Sequence, residues 1–137
     1  MTALLLDTSV WLASADRQDE HDHAAAVAII ERQARREVEL RLLDHTLYEL
    51  GHVLIRKWRG NAEDASGFIT RLLGIAGAPP LVPTASERRA ALELAETHRL
   101  SYYDASYPAV AQSRRLTLVS GDRKLLDAGV AVPPADA

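Results

Sequence analysis

Apolar runs and amphipathic stretches alternate along this chain, and each predicts a strand or a helix. Residues 3–6 are a continuous apolar run of the length and kind that fills a buried strand. Asp7 ends it, Thr8 and Ser9 offer helix caps, and residues 10–13 resume as an apolar helical segment. Residues 16–22 are polar and predict a loop. Residues 23–36 carry Val27, Ile30 and Ala34 at helical spacing, with Arg32, Arg35 and Arg36 near the negative pole. Val38, Leu40 and Leu42 alternate with Glu39 and Arg41, a strand pattern that ends at Leu43.

The second half punctuates itself with caps. Thr46 with Glu49, Thr84 with Glu87 and Ser101 with Asp104 each match the capping-box spacing. They predict helices reaching about Trp58, about His98 and about Arg115. The first should bury Leu50, Val53, Leu54 and Trp58 and stop at Gly60. Asn61 opens another helix, with Phe68, Ile69, Leu72 and Leu73 inward and Gly77, Pro79 and Pro80 closing it. Residues 81–82 and 130–132 predict minimal strands, and residues 116–119 a buried one. A short helix over 123–128 follows Ser120-Gly121-Asp122 and is capped by Gly129. This alternation predicts a parallel sheet flanked by helices, with the strand C-termini on one edge.

At 137 residues the chain is expected to be one domain over 1–132, followed by a short C-terminal tail, 133–137, that frays. The absence of Cys excludes disulfides and thiolate metal sites and fits a cytoplasmic location. No stretch is long enough for a membrane span, and no basic residue precedes the first apolar run as a secretory signal would need. A net charge of −3 carries no bulk basic signature, so a nucleic-acid partner must be held by local positive patches or bound cations.

Four acids stand at comparable junctions. Asp7 and Asp122 follow apolar strands; Glu49 and Asp104 lie in first turns of predicted helices. Taken singly, each is explained as a turn residue or a cap. With strand ends on one edge, however, all four converge. Two carboxylates about 4 Å apart repel by roughly 4 kcal/mol at an effective dielectric of 20, so such a cluster requires protons or a cation. Hard divalent ions prefer oxygen ligands, and such an ion suits phosphodiester hydrolysis.

The motifs LLLDTSVWLA, LYELGHVLIR, YYDASYPAVA and LVSGDRKLL, in this order and spacing, resemble those of the PIN-domain ribonucleases, most closely the VapC-type toxins of bacterial toxin–antitoxin pairs. The resemblance implies a three-layer α/β/α sandwich around a central parallel sheet. It implies that Asp7, Glu49, Asp104 and Asp122 are catalytic and bind one or two Mg2+ or Mn2+ ions, with Thr8 and Ser120 as supporting hydroxyls. It further implies endonucleolytic cleavage of RNA by a metal-activated water, a homodimer, and inhibition by a cognate antitoxin. Pro108 departs from the family's uninterrupted helix. It either kinks a helix that starts near Tyr103 or moves the start to Ser106 and shifts Asp104. That departure is the ground for a rival reading, a PIN-like RNA- or protein-binding module with weak or no catalysis.

Other residues have two readings. Arg123 and Lys124, beside Asp122, suit contact with RNA phosphates as well as solubility. Arg114 and Arg115 form a neighbouring basic group, and Arg56, Lys57 and Arg59 another. His21 and His23 have the spacing of a metal pair but lie among polar residues that favour a solvated surface. His45 and His52 flank Glu49. Trp11 and Trp58 fit core packing or a dimer face.

Overall fold

The computed structural model describes the chain apart from Arg17 and Asp19 and the side chains of Glu20 and His21. The His21–His23 pairing therefore lies outside the described residues; His23 itself contacts the Ala13 carbonyl through Nδ1 at 2.9 Å.

Strand β1 (Thr2–Leu6) is central. It pairs in parallel with β2 (Val38–Arg41) on one side and β3 (Thr117–Val119) on the other. Single parallel bridges extend both edges, Leu43 to Leu81 and Val119 to Val132, where the two minimal strands were expected. The two-residue period of β1 divides the core between the faces of the sheet. Leu4 and Leu6 pack with Trp11, Ile29, Leu50 and Leu72. Leu5 packs with Leu43, Tyr107, Val110, Leu118 and Leu125. Helices α1 (Thr8–Ala15), α2 (Glu20–Ala34), α3 (Asp44–His52) and α4 (Ala62–Ala76) cover the first face. Helices α5 (Ala85–His98), α6 (Tyr102–Arg114) and α7 (Arg123–Asp127) cover the second. The fold is an α/β/α sandwich about a central parallel sheet.

Several local expectations change. Helix α2 starts at Glu20, inside the expected polar loop, and its fully buried positions are Ala26 and Ile29; Ala34 is exposed. The buried positions of α4 are Ala65, Leu72 and Ala76, with Phe68 only partly covered. Thr46 does not cap α3. The helix begins at Asp44 with Leu43 at the cap and no side-chain cap bond, so Thr46 falls inside the first turn. Trp58 does not face inward. Residues Val53–Lys57 form a π turn, closed by the Trp58 amide donating to the Val53 carbonyl at 2.9 Å. The wider turn rotates the downstream side chains about the helix axis, leaving Leu54 buried and Trp58 42% exposed. The tail does not fray: Pro134–Asp136 forms a 3-10 turn with Pro134 buried, and Arg32 Nη1 donates to the Ala137 backbone oxygen at 2.8 Å.

Pro108 sits inside α6, buried with Ala109 and Val110 in the second core. It removes an amide that would meet the Asp104 carbonyl, yet the helix still starts at Tyr102, with the Ser101 hydroxyl accepting from the Asp104 amide at 3.0 Å. Asp104 therefore keeps its first-turn position. Described residues include no helix long and apolar enough to cross a membrane.

Candidate active site

The C-terminal edge of the sheet gathers the ends of β1 and β3 and the start of α3; α6 adds its first turns. Asp7 lies directly after β1 and caps α1, accepting from the Val10 amide at 3.3 Å. Its carboxylate also accepts from Ser9 Oγ at 2.5 Å and from Ser120 Oγ. Both serines turn back to the loop after β3. Ser9 Oγ accepts from the Gly121 amide and Ser120 Oγ from the Asp122 amide, each at 2.9 Å. Asp7 is thus joined to the backbone of Asp122 through a single hydroxyl. Burial pushes the Asp7 carboxyl up to about 6; the Ser120, Ser9 and Val10 hydrogen bonds pull it down, and the charge of Asp122 pushes it further up. Asp122 itself caps α7, its Oδ1 accepting from the Lys124 amide at 2.8 Å. Arg123 and Lys124 beside it are exposed.

A second hydroxyl junction serves Glu49. Tyr107, reaching from α6, donates its hydroxyl to Glu49 Oε1 at 2.9 Å. The same hydroxyl lies 3.0 Å from Thr8 Oγ1 and 2.6 Å from Thr46 Oγ1. Thr8 adjoins Asp7, so this junction links the second acid to the first. His45 Nε2 is 3.3 Å from Glu49 Oε1 and its ring meets Tyr107 edge-on at 5.0 Å. Burial lowers the His45 pKa, while Glu49, Asp44 and Asp104 oppose that shift.

Asp104 is the outlying member. Its charge acts on His45, but its carboxylate makes no hydrogen bond or ion pair among the described residues. Nor do any three His, Asp or Glu side chains among the described residues group closely enough to hold a metal ion by themselves. His52 is exposed. Arg114 leaves the basic group expected near Arg123: it forms a two-pronged pair with Glu87, from Nε at 2.9 Å and Nη2 at 2.8 Å.

Sequence reasoning did not identify Ser9 or Tyr107. Ser9 was visible as the third polar residue of Asp-Thr-Ser at a strand-to-helix handover. Tyr107 was visible as a large side chain one turn after Asp104 in a run of small residues, Ala105, Ser106, Pro108 and Ala109.

Comparison with known proteins identifies the fold family. The PIN domain model matches residues 4–131. Among solved structures, the chain is similar to the crystal structure of PAE2754 from Pyrobaculum aerophilum, at 28% identity and a TM-score of 0.68, covering 98% of this chain and 92% of that one. No curated protein matches. With the model matching from β1 to the last edge bridge, the chain belongs to the PIN-domain family, whose members are typically nucleases.

Proposed function

We propose that the chain is a Mg2+- or Mn2+-dependent endoribonuclease of the VapC type, the toxin of a type II toxin–antitoxin pair, acting in the cytoplasm as a homodimer restrained by its antitoxin. The observation that carries this reading is Asp7. It is a carboxylate buried at a strand end, joined to the Asp122 backbone amide through Ser120 and close enough to feel the Asp122 charge, with no ion-pair partner among the described residues. A buried carboxylate in that state calls for a proton or a cation.

The donor chemistry fits a hard divalent ion. One or two of Asp7, Glu49, Asp104 and Asp122 would hold it directly and the others through its bound waters, all through oxygen. Mg2+ commonly takes one or two carboxylates and completes its shell with water, so a closed group of three ligands is not required. Such an ion, when bound, polarises a phosphoryl oxygen and lowers the pKa of water. The chain's own groups do the rest. Ser9 and Ser120 hold the Asp7 carboxylate in one orientation. Arg123 and Lys124, exposed beside Asp122, offer charge to RNA phosphates.

Purified protein is expected to cut RNA in Mg2+ or Mn2+ and to stop in EDTA, and Asp7→Asn to lose most of that cleavage. Equal cleavage by wild type and Asp7→Asn would sink the role of Asp7. A short neighbouring gene encoding a DNA-binding protein is the expected genomic setting for the toxin reading. The binding-module reading draws on the engagement of both Asp7 oxygens by protein donors. It requires RNA retention without cleavage at millimolar Mn2+.

A further inference from the structure

The Tyr107 hydroxyl sits where three site helices meet. Each contributes a residue close in sequence to an acid: Thr8 follows Asp7, Thr46 precedes Glu49 by three, and Tyr107 follows Asp104 by three. Tyr107 and Thr46 are 2% and 0% exposed, so hydrogen bonds here do not compete with bulk water.

Counting protons orders the junction. A phenol has one proton to donate and two lone pairs to accept with. Tyr107 donates its proton to Glu49 Oε1. Thr8 and Thr46, both within hydrogen-bond distance of the same oxygen, must therefore donate to it. His45 obeys the same logic. Its Nε2 faces Glu49 Oε1 and Ser106 Oγ, and the Ser106 proton is already given to the Tyr103 carbonyl. Both partners of Nε2 are acceptors, so a neutral His45 carries its proton there. Every donor converges on Glu49 Oε1, and Oε2 has no partner among the described residues.

We propose that Tyr107, with Thr8 and Thr46 as its donors, is a positioning residue for the metal site: it pins Glu49 through Oε1, keeps Oε2 available to a cation, and sets the spacing of Glu49 from Asp7. This role rests on the metal-dependent reading of the site. The junction acts by orientation, because a ligating carboxylate free to rotate must be ordered by the ion itself, and outer hydrogen bonds of this kind commonly govern affinity.

The test is Mn2+ binding by calorimetry, with urea unfolding of each metal-free variant alongside. Tyr107→Phe keeps the ring and removes the hydroxyl; it is expected to weaken Mn2+ binding about 10- to 100-fold. Thr46→Val removes one donor and should weaken Mn2+ in the same direction, while Thr46→Ser restores wild-type binding. Arg114→Gln loosens the fold away from the site and should leave Mn2+ affinity unchanged. Wild-type affinity in Tyr107→Phe, equal behaviour of the two Thr46 variants, or an equal loss in Arg114→Gln would each overturn the positioning role. A folded wild type that binds no Mn2+ would overturn the metal-dependent reading itself, and the positioning role with it.

Discussion

Asp7 and Glu87 each expose only 4% of their surface, Asp7 deep at the sheet edge and Glu87 near the protein surface under the Arg114 side chain, and each caps or closes the first turn of a helix. Their surroundings push them in opposite directions. Glu87 is gripped by the Arg114 guanidinium, which holds it down to about 2 against the cost of burial. It also completes a capping box, its Oε1 accepting from the Thr84 amide at 2.9 Å. Asp7 has only hydroxyls and an amide, and burial carries it up to about 6. A buried acid whose compensating cation is a side chain serves the fold. A buried acid left with dipoles alone is compensated only in part, and that is the state in which a metal ion has most to offer.

The largest expected contrast is in activity. Asp7→Asn should lower RNA cleavage about a thousandfold, or about 4 kcal/mol in the barrier. Glu87→Gln, measured per folded molecule, should cleave like wild type. Equal losses in the two variants would erase the distinction between them.

Stability should rank the other way. Glu87→Gln leaves Arg114 facing a neutral partner and is expected to cost about 3 kcal/mol. Asp7→Asn at pH 7 without metal should cost little or add stability, because it removes a charge that burial disfavours. Urea unfolding in EDTA measures both.

The pH dependences should have opposite signs. The Asp7 pKa is raised on folding, from 3.8 to about 6, so the native state holds a proton the unfolded chain has released. Stability from this group is present below pH 4 and is lost as pH rises through 6, by up to about 3 kcal/mol. The Glu87 pKa is lowered, from 4.5 to about 2, so its contribution is full above pH 4.5 and disappears as pH falls through 2. In Asp7→Asn the decline between pH 4 and 7 should flatten. An unchanged slope would mean Asp7 does not titrate as its burial requires.

The smallest effect is at the cap. Thr84→Ala should cost about 1 kcal/mol and leave Mn2+ affinity alone. Loss of Mn2+ binding in that variant would mean the two regions are coupled.

Thr84 and Thr46 also mark how far the chain could be read before folding. Both precede a Glu by three residues. At Thr84 the pattern is a capping box, with both reciprocal bonds made. At Thr46 it is not, because the helix already begins at Asp44 and places Thr46 inside its first turn, where its hydroxyl meets Tyr107, a partner 61 positions away. Local spacing reports local hydrogen bonds and is silent about such a distant partner. Strand β1 was legible because its unbroken apolar run leaves no other use for it. The positions of Asp7 and Asp122 were legible because each directly ends an apolar strand. Trp58 was misread because a π turn adds a residue that no apolar spacing records. Ser9 and Ser120 bond to one carboxylate although they lie on separate elements, a meeting only the closed sheet edge creates.

The most direct test is a crystal soaked in millimolar Mn2+ and measured for anomalous scattering. The expected result is a peak about 2.1 Å from an Asp7 carboxylate oxygen, between Asp7 and Asp122, that Asp7→Asn abolishes. A well-ordered crystal with no peak at Asp7, or a peak that persists in Asp7→Asn, would contradict a cation held at this edge.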